Sequence, residues 1–123
     1  MALGRLASHL AELSGWAAQT MTLTELDIAP PGVPAPTGHN LPTRADILGL
    51  FDKSVSDARK AIAETPDDAW MVPWSLKKGG RVLLTLPRIA IVRSMVLNHI
   101  IHHRAQLGVY LRLLEAPLPS LYG

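Results

Sequence analysis

The chain has 123 residues, which fits one domain spanning 1–123, and at 48% hydrophobic and 18% charged it can bury a core and is not a disordered chain. Twelve Lys and Arg against ten Asp and Glu, with no basic run longer than two, exclude the basic patch on which nucleic-acid binding by counterion release depends. There is no Cys, so disulfides, thiolate ligands and a cysteine nucleophile are excluded, and any metal has to be held by His, Asp or Glu.

Aromatic residues are few, so the core must be mostly Leu, Ile, Val and Ala, a composition that leans toward helices. From residue 3 to about 20, Leu3, Leu6, Leu10, Leu13 and Ala17 recur at three- and four-residue steps and make one helical face, with His9 at its edge and Gly15 weakening the later turns. The N-terminus lacks the charged start and pure apolar run of a secretory signal. Residues 30–42 hold Pro30, Pro31, Gly32, Pro34, Pro36, Gly38 and Pro42, a density that no regular element survives, and His39 in this stretch reads as exposed. A connection from 22 to 42 is long for neighbouring helices and predicts a crossover with the flanking helices parallel.

Thr43 with Asp46 three residues on resembles a capping box and opens a second helix. Its apolar stripe is Ile47, Leu50, Phe51, Ser54, Val55, Ala58 and Ile62, its wet face carries Asp52, Lys53, Asp57, Arg59 and Lys60, and Pro66 ends it. Trp70, Val72, Trp74 and Leu76 alternate, Lys77-Lys78-Gly79-Gly80 makes a turn, and residues 81–86 are β-prone; a short hairpin is predicted, with Trp70 and Trp74 closing the end of the bundle. Pro87 suits the first position of a last helix, which runs to about Leu114, where Pro117 and Pro119 bar continuation. Residues 89–101 are very apolar but short for a membrane span, and they contain Arg93, Asn98 and His99. A soluble, cytoplasmic protein without a nucleic-acid or membrane partner is expected.

The last helix carries the chemistry. His99 and His103 share its buried stripe with Val96 and Leu107, and at four residues apart their Cβ atoms lie about 6 Å from each other, so two imidazoles can converge on one cation. Either His alone also reads as a satisfied half-buried residue, and two ligands hold a metal weakly. His9 on the edge of the first helix is the natural third, and three neutral ligands leave a coordination position open for water or substrate. His102 lies about 100° round the helix from His103 and is expected to bond elsewhere. Glu12, three residues after His9, is a candidate acceptor for its ring N–H. Arg104 and Gln106 read either as groups supporting the site or substrate, or as ordinary surface residues.

These stretches resemble a known family. Residues 4–13, Gly-Arg-Leu-Ala-Ser-His-Leu-Ala-Glu-Leu, followed by Gly15-Trp16, are similar to the second-helix motif of DinB-like (damage-inducible) metalloproteins. Residues 98–107, Asn-His-Ile-Ile-His-His-Arg-Ala-Gln-Leu, are similar to their last-helix motif, and Trp74, Gly79-Gly80, Pro87-Arg88 and the end 117–123 resemble one subgroup. The resemblance implies an all-α, up-down-down-up helical bundle, here with a small β-hairpin before the last helix. It implies one divalent metal ion (Zn, Ni or Fe) on His9, His99 and His103. Some relatives are thiol-dependent transferases or isomerases using bacillithiol, mycothiol or glutathione. The family's first helix has no counterpart before Met1, which makes a chain truncated at its N-terminus an expectation. The apolar face so exposed predicts a homodimer or higher homo-oligomer.

Three functions stay open: a metal- and thiol-dependent S-transferase or isomerase acting on a small-molecule substrate; a metal-dependent hydrolase with Glu12 as the only nearby base; and a non-catalytic, stress-associated metal-binding module.

Overall fold

A computed structural model describes residues 1–34, 38 and 40–120; His39 and the terminal Leu121-Tyr122-Gly123 lie outside them. The elements are α1 (Leu3–Leu13), α2 (Gly15–Thr22), β1 (Glu25–Asp27), α3 (Arg44–Glu64), a 3-10 turn (Asp67–Met71), β2 (Pro73–Lys78), β3 (Arg81–Pro87), α4 (Arg88–Ile91), a π-turn (Val92–Leu97) and α5 (Asn98–Leu113). The result is a three-helix bundle with a small mixed sheet before its last helix.

The first helix is broken at Ser14, which caps α1 and precedes α2 with αR torsions. Gly15 sits where α2 leans on α3: a Cβ there would stand 3.6 Å from Ser54 Oγ. Leu6, Ala11, Leu13 and Ala17 are buried, and so is Ser8, whose hydroxyl donates to the Gly4 carbonyl (2.8 Å) and accepts from the Leu41 N–H (3.0 Å), tying the loop to α1.

Contacts along the chain set the directions of the helices. Gly4 lies beside Asn40, Ser8 beside Leu41, Gly15 beside Ser54 and Ala17 beside Ala58, so α1–α2 and α3 ascend together, as the long connection predicts. In the last helix Tyr110 Oη donates to the Met1 carbonyl (2.9 Å), His103 meets His9, and Val96 packs with Ala17, so that helix runs the opposite way. The α1–α2 pair packs on both α3 and the last helix. Above it the other two leave a cleft of about 180 Å3, with Ser14 and Ala17 between walls that include Val55, Ala58 and Ile62 on one side and Val92, Val96, Leu97 and Ile100 on the other.

The hairpin forms as expected, with Gly79 and Gly80 at φ 61° and 77°, a pair of left-handed positions that glycine adopts without a Cβ penalty. The sequence reading missed β1, which pairs parallel with β2 from inside the long connection. Its Asp27 carboxylate accepts the N–H groups of Ala29 (2.9 Å), Gly79 (3.0 Å) and Gly80 (2.6 Å), and those bonds, Ala29 first, hold its pKa below the ordinary carboxylate value. Trp74, Leu76 and Ile91 form the core beneath the sheet, while Trp70 is half-buried in the 3-10 turn. On α3 only Ser54 and Ala58 are buried, and Phe51 and Ile62 of the expected core stripe are exposed.

Thr43 caps α3 by accepting the Asp46 N–H at 3.1 Å. The last helix is not uniformly α: the Asn98 N–H reaches back five residues to the Arg93 carbonyl, closing the π-turn immediately before the histidines. It ends before Pro117, where Glu115 takes φ 57° and the Ala116 N–H bonds the Leu111 carbonyl. No helix among the described residues is long and apolar enough to cross a membrane.

Candidate metal centre

The antiparallel packing of α1 on α5 brings His9 to His99 and His103. Their rings stand with centroids 5.3 Å (His9–His99), 4.8 Å (His9–His103) and 4.6 Å (His99–His103) apart. One ring nitrogen from each lies within 4.8 Å of the others, and this is the His-, Asp- or Glu-based cluster of metal-binding type among the described residues. His103 is buried, and His9 and His99 are half-buried. The arrangement is capable of coordinating a metal ion.

Each ring is oriented by a bond at its outer nitrogen. His9 Nδ1 meets Glu12 Oε1 at 2.7 Å, His99 Nδ1 meets the Met95 carbonyl at 3.3 Å, and His103 Nδ1 meets Gln106 Oε1 at 2.7 Å. All three partners are acceptors, so Nδ1 carries the proton in each ring and Nε2 is left as the basic lone pair. Such outer partners fix both ring orientation and tautomer in metal sites. The consequence is visible between His99 and His103, whose Nε2 atoms face each other at 2.8 Å. Two lone pairs do not rest at that distance without a cation between them, either a proton or a metal. Burial, then the neighbouring charge of His103, pushes His99 below its ordinary pKa and favours the unprotonated ring. A donor set of neutral imidazoles fits a divalent metal ion.

Other groups define the surroundings. The Arg5 guanidinium lies 3.5 Å from Glu12 Oε1, so Glu12 bridges a cation and the His9 ring. Trp16 presents an edge-on contact to His99 at 6.5 Å. His102 is exposed, with its ring 4.8 Å from that of His103, and is not in the cluster. Arg104 is exposed and, with Arg112, Leu118 and Pro119, lines a cleft of about 430 Å3 whose lining includes none of the three histidines.

Two contributors escaped the sequence reading. The Met95 carbonyl is a backbone group set by the π-turn, for which the sequence carries no signal. Arg5 stands seven residues before Glu12, two helical turns on the same face, and that spacing could have flagged it. Comparison with protein-family models, with curated proteins and with solved structures returns no match for this chain.

Proposed function

We propose that this chain is a divalent-metal protein of the DinB-like type, holding one metal ion on His9, His99 and His103 and using it with a low-molecular-weight thiol as an S-transferase or isomerase. The observation that carries the metal reading is the convergence of three imidazoles, one ring nitrogen of each lying within 4.8 Å of the others. A parallel helix pair followed by an antiparallel helix is compatible with an up-down-down-up bundle counted from its second helix. The thiol reading draws on the resemblance and on the lack of Cys, since a sulfur nucleophile would have to be borrowed.

When bound, a divalent metal supplies Lewis acidity that lowers the pKa of a coordinated thiol or water. The residues of the chain do the rest. Glu12, the Met95 carbonyl and Gln106 keep the protons on the outer nitrogens, so the inner ones stay available as ligands. Arg5 reaches the same Glu12 oxygen that meets the His9 ring. Because Glu12 is engaged by both His9 and Arg5, it is poorly placed to serve as the water-activating base that a hydrolase needs.

Elemental analysis of the purified chain tests the metal, with His99→Ala as control: near-stoichiometric metal is expected in the first and a trace in the second. Turnover of a generic electrophile with bacillithiol, mycothiol and glutathione tests the chemistry. Metal without thiol-dependent turnover would remove the transferase reading and favour the non-catalytic module; no metal in either protein would remove both.

A further inference from the structure

The cleft beside Arg104 and Arg112 has a volume of about 430 Å3, within the range of about 300–1,000 Å3 usual for small-molecule sites. It exists because the chain doubles back. Glu115 takes φ 57° and the Ala116 N–H bonds the Leu111 carbonyl, so the segment after α5 returns along it and brings Leu118 and Pro119 into the lining. Gly108, also in the lining, lies about 180° and about 140° round the helix from His99 and His103. The cleft and the metal centre therefore occupy different faces of α5.

The lining is aliphatic with two cations. Apart from Arg104, Arg112 and Gly108 it consists of side chains such as Val109, Leu111 and Leu118, with no aromatic ring among the described residues. Arg104 and Arg112 stand one turn before and one turn after Gly108, each about 40° to one side of it. Arg112 bends back: a Cβ on Gly108 would meet its Nη1 at 3.5 Å, so its guanidinium turns toward the Arg104 end of the cleft. No carboxylate among the described residues pairs with either arginine. Between Asp68 and Glu115 the sequence holds seven Lys and Arg and no Asp or Glu. Two guanidinium groups beside an apolar wall, with no counter-charge of their own, suit an anion from outside.

Gly108 is an independent mark of the same site. Glycine weakens a helix interior relative to alanine. Around its Cβ position the described residues outside the helix backbone offer only the Arg112 side chain within 4 Å, so no neighbouring element requires the gap. A side chain there would take up space in the cleft.

We propose that this cleft binds one amphiphilic carboxylate, an aliphatic acid of medium chain length. Arg104 and Arg112 hold its carboxylate, and its chain lies between α5 and Leu118-Pro119. The cleft extends about 12 Å along α5 from Arg104 to Arg112, which suits an extended chain better than a compact ring. The site does not rest on the metal reading.

Decanoate is the probe, titrated calorimetrically into the full chain at pH 8, where it is ionised, and well below its micellar concentration. One molecule per chain should bind, with a micromolar Kd. Decanol, with the same chain and no charge, should bind at least about 10-fold more weakly, and so should decanoate to Arg104→Gln or Arg112→Gln. Gly108→Leu should fill the cleft and abolish binding while raising Tm, because it removes a glycine from a helix interior. If Gly108→Leu fails to fold, the arginine variants decide. No saturable binding of decanoate would overturn the proposal. Equal binding of decanol, or unaltered binding by Gly108→Leu, would overturn it too, by removing the role of charge or of this cleft. Attachment to phosphatidylglycerol vesicles without binding of free decanoate would make the face a membrane contact and overturn it equally.

Discussion

Removing His99 should separate the metal reading from a purely structural one. In wild-type protein, zinc binding adds RT ln(1 + [Zn]/Kd) to stability, about 2.7 kcal/mol when zinc is held at about one hundred times Kd. For a chain of this length, about 3–5 °C in Tm per kcal/mol gives a rise of about 8–13 °C. His99→Ala leaves His9 and His103. Loss of a coordinating imidazole should cost at least the upper end of the 10–100-fold seen for outer partners, so the same zinc concentration falls near the variant's Kd and yields about 0.4 kcal/mol, a rise of about 2 °C. In chelator, the variant no longer holds two lone pairs at 2.8 Å, so its Tm should stay close to that of the wild type. His102→Ala, outside the cluster, should respond to zinc as the wild type does. The assay is thermal melting by circular dichroism, with and without zinc. Equal zinc shifts in wild type and His99→Ala, or no shift in either, would refute the argument.

Glu12→Gln keeps the size of the side chain but weakens the acceptor for the His9 ring proton; zinc affinity by calorimetry should fall about 10–100-fold. In the metal-free protein, the lowered pKa of His99 means that the unfolded chain takes up a proton first as pH falls below the ordinary histidine value. Stability is therefore fully present above that pH, falls as pH drops through it, and levels off below the native pKa; urea midpoints should show this slope, and His99→Ala should reduce it. Ser8→Ala removes the acceptor of the Leu41 N–H and should cost about 1–3 kcal/mol in urea unfolding, with zinc affinity unchanged.

What was legible in the sequence followed from local rules. The stripe of Leu6, Leu13 and Ala17, the Thr43 cap and the Gly79-Gly80 turn each depend on residues within a turn or two of one another. So does the pairing of His99 with His103, and of the His9 ring with Glu12. The remainder depended on distant partners. Glu25-Leu26-Asp27 is too short to show a period and becomes a strand only because β2, some fifty residues later, offers an edge. The stripe of α3 predicted a buried face by pattern, yet only Ser54 and Ala58 of it are buried, and Phe51 and Ile62 remain exposed because no described residue lies over them. His9 is joined to the pair only by the antiparallel packing of α1 on α5, which no spacing within either helix specifies.

The π-turn at Val92–Leu97 has a bearing on how the site can change. A turn closed over five residues contains one residue more than an α-helix would use. Ile91 just before it and Val92 at its start are anchored in the core; downstream lie His99 and His103. The extra residue acts as a phase shifter between the two segments. Winding the same residues as α-helix throughout would swing the downstream face by about 100° against its upstream anchor, whereas deleting one of them, Ser94 for instance, would remove the bulge and keep the two segments in phase. The three rings meet because the π-turn absorbs its extra residue, so the centre depends on how this helix is wound as much as on its composition.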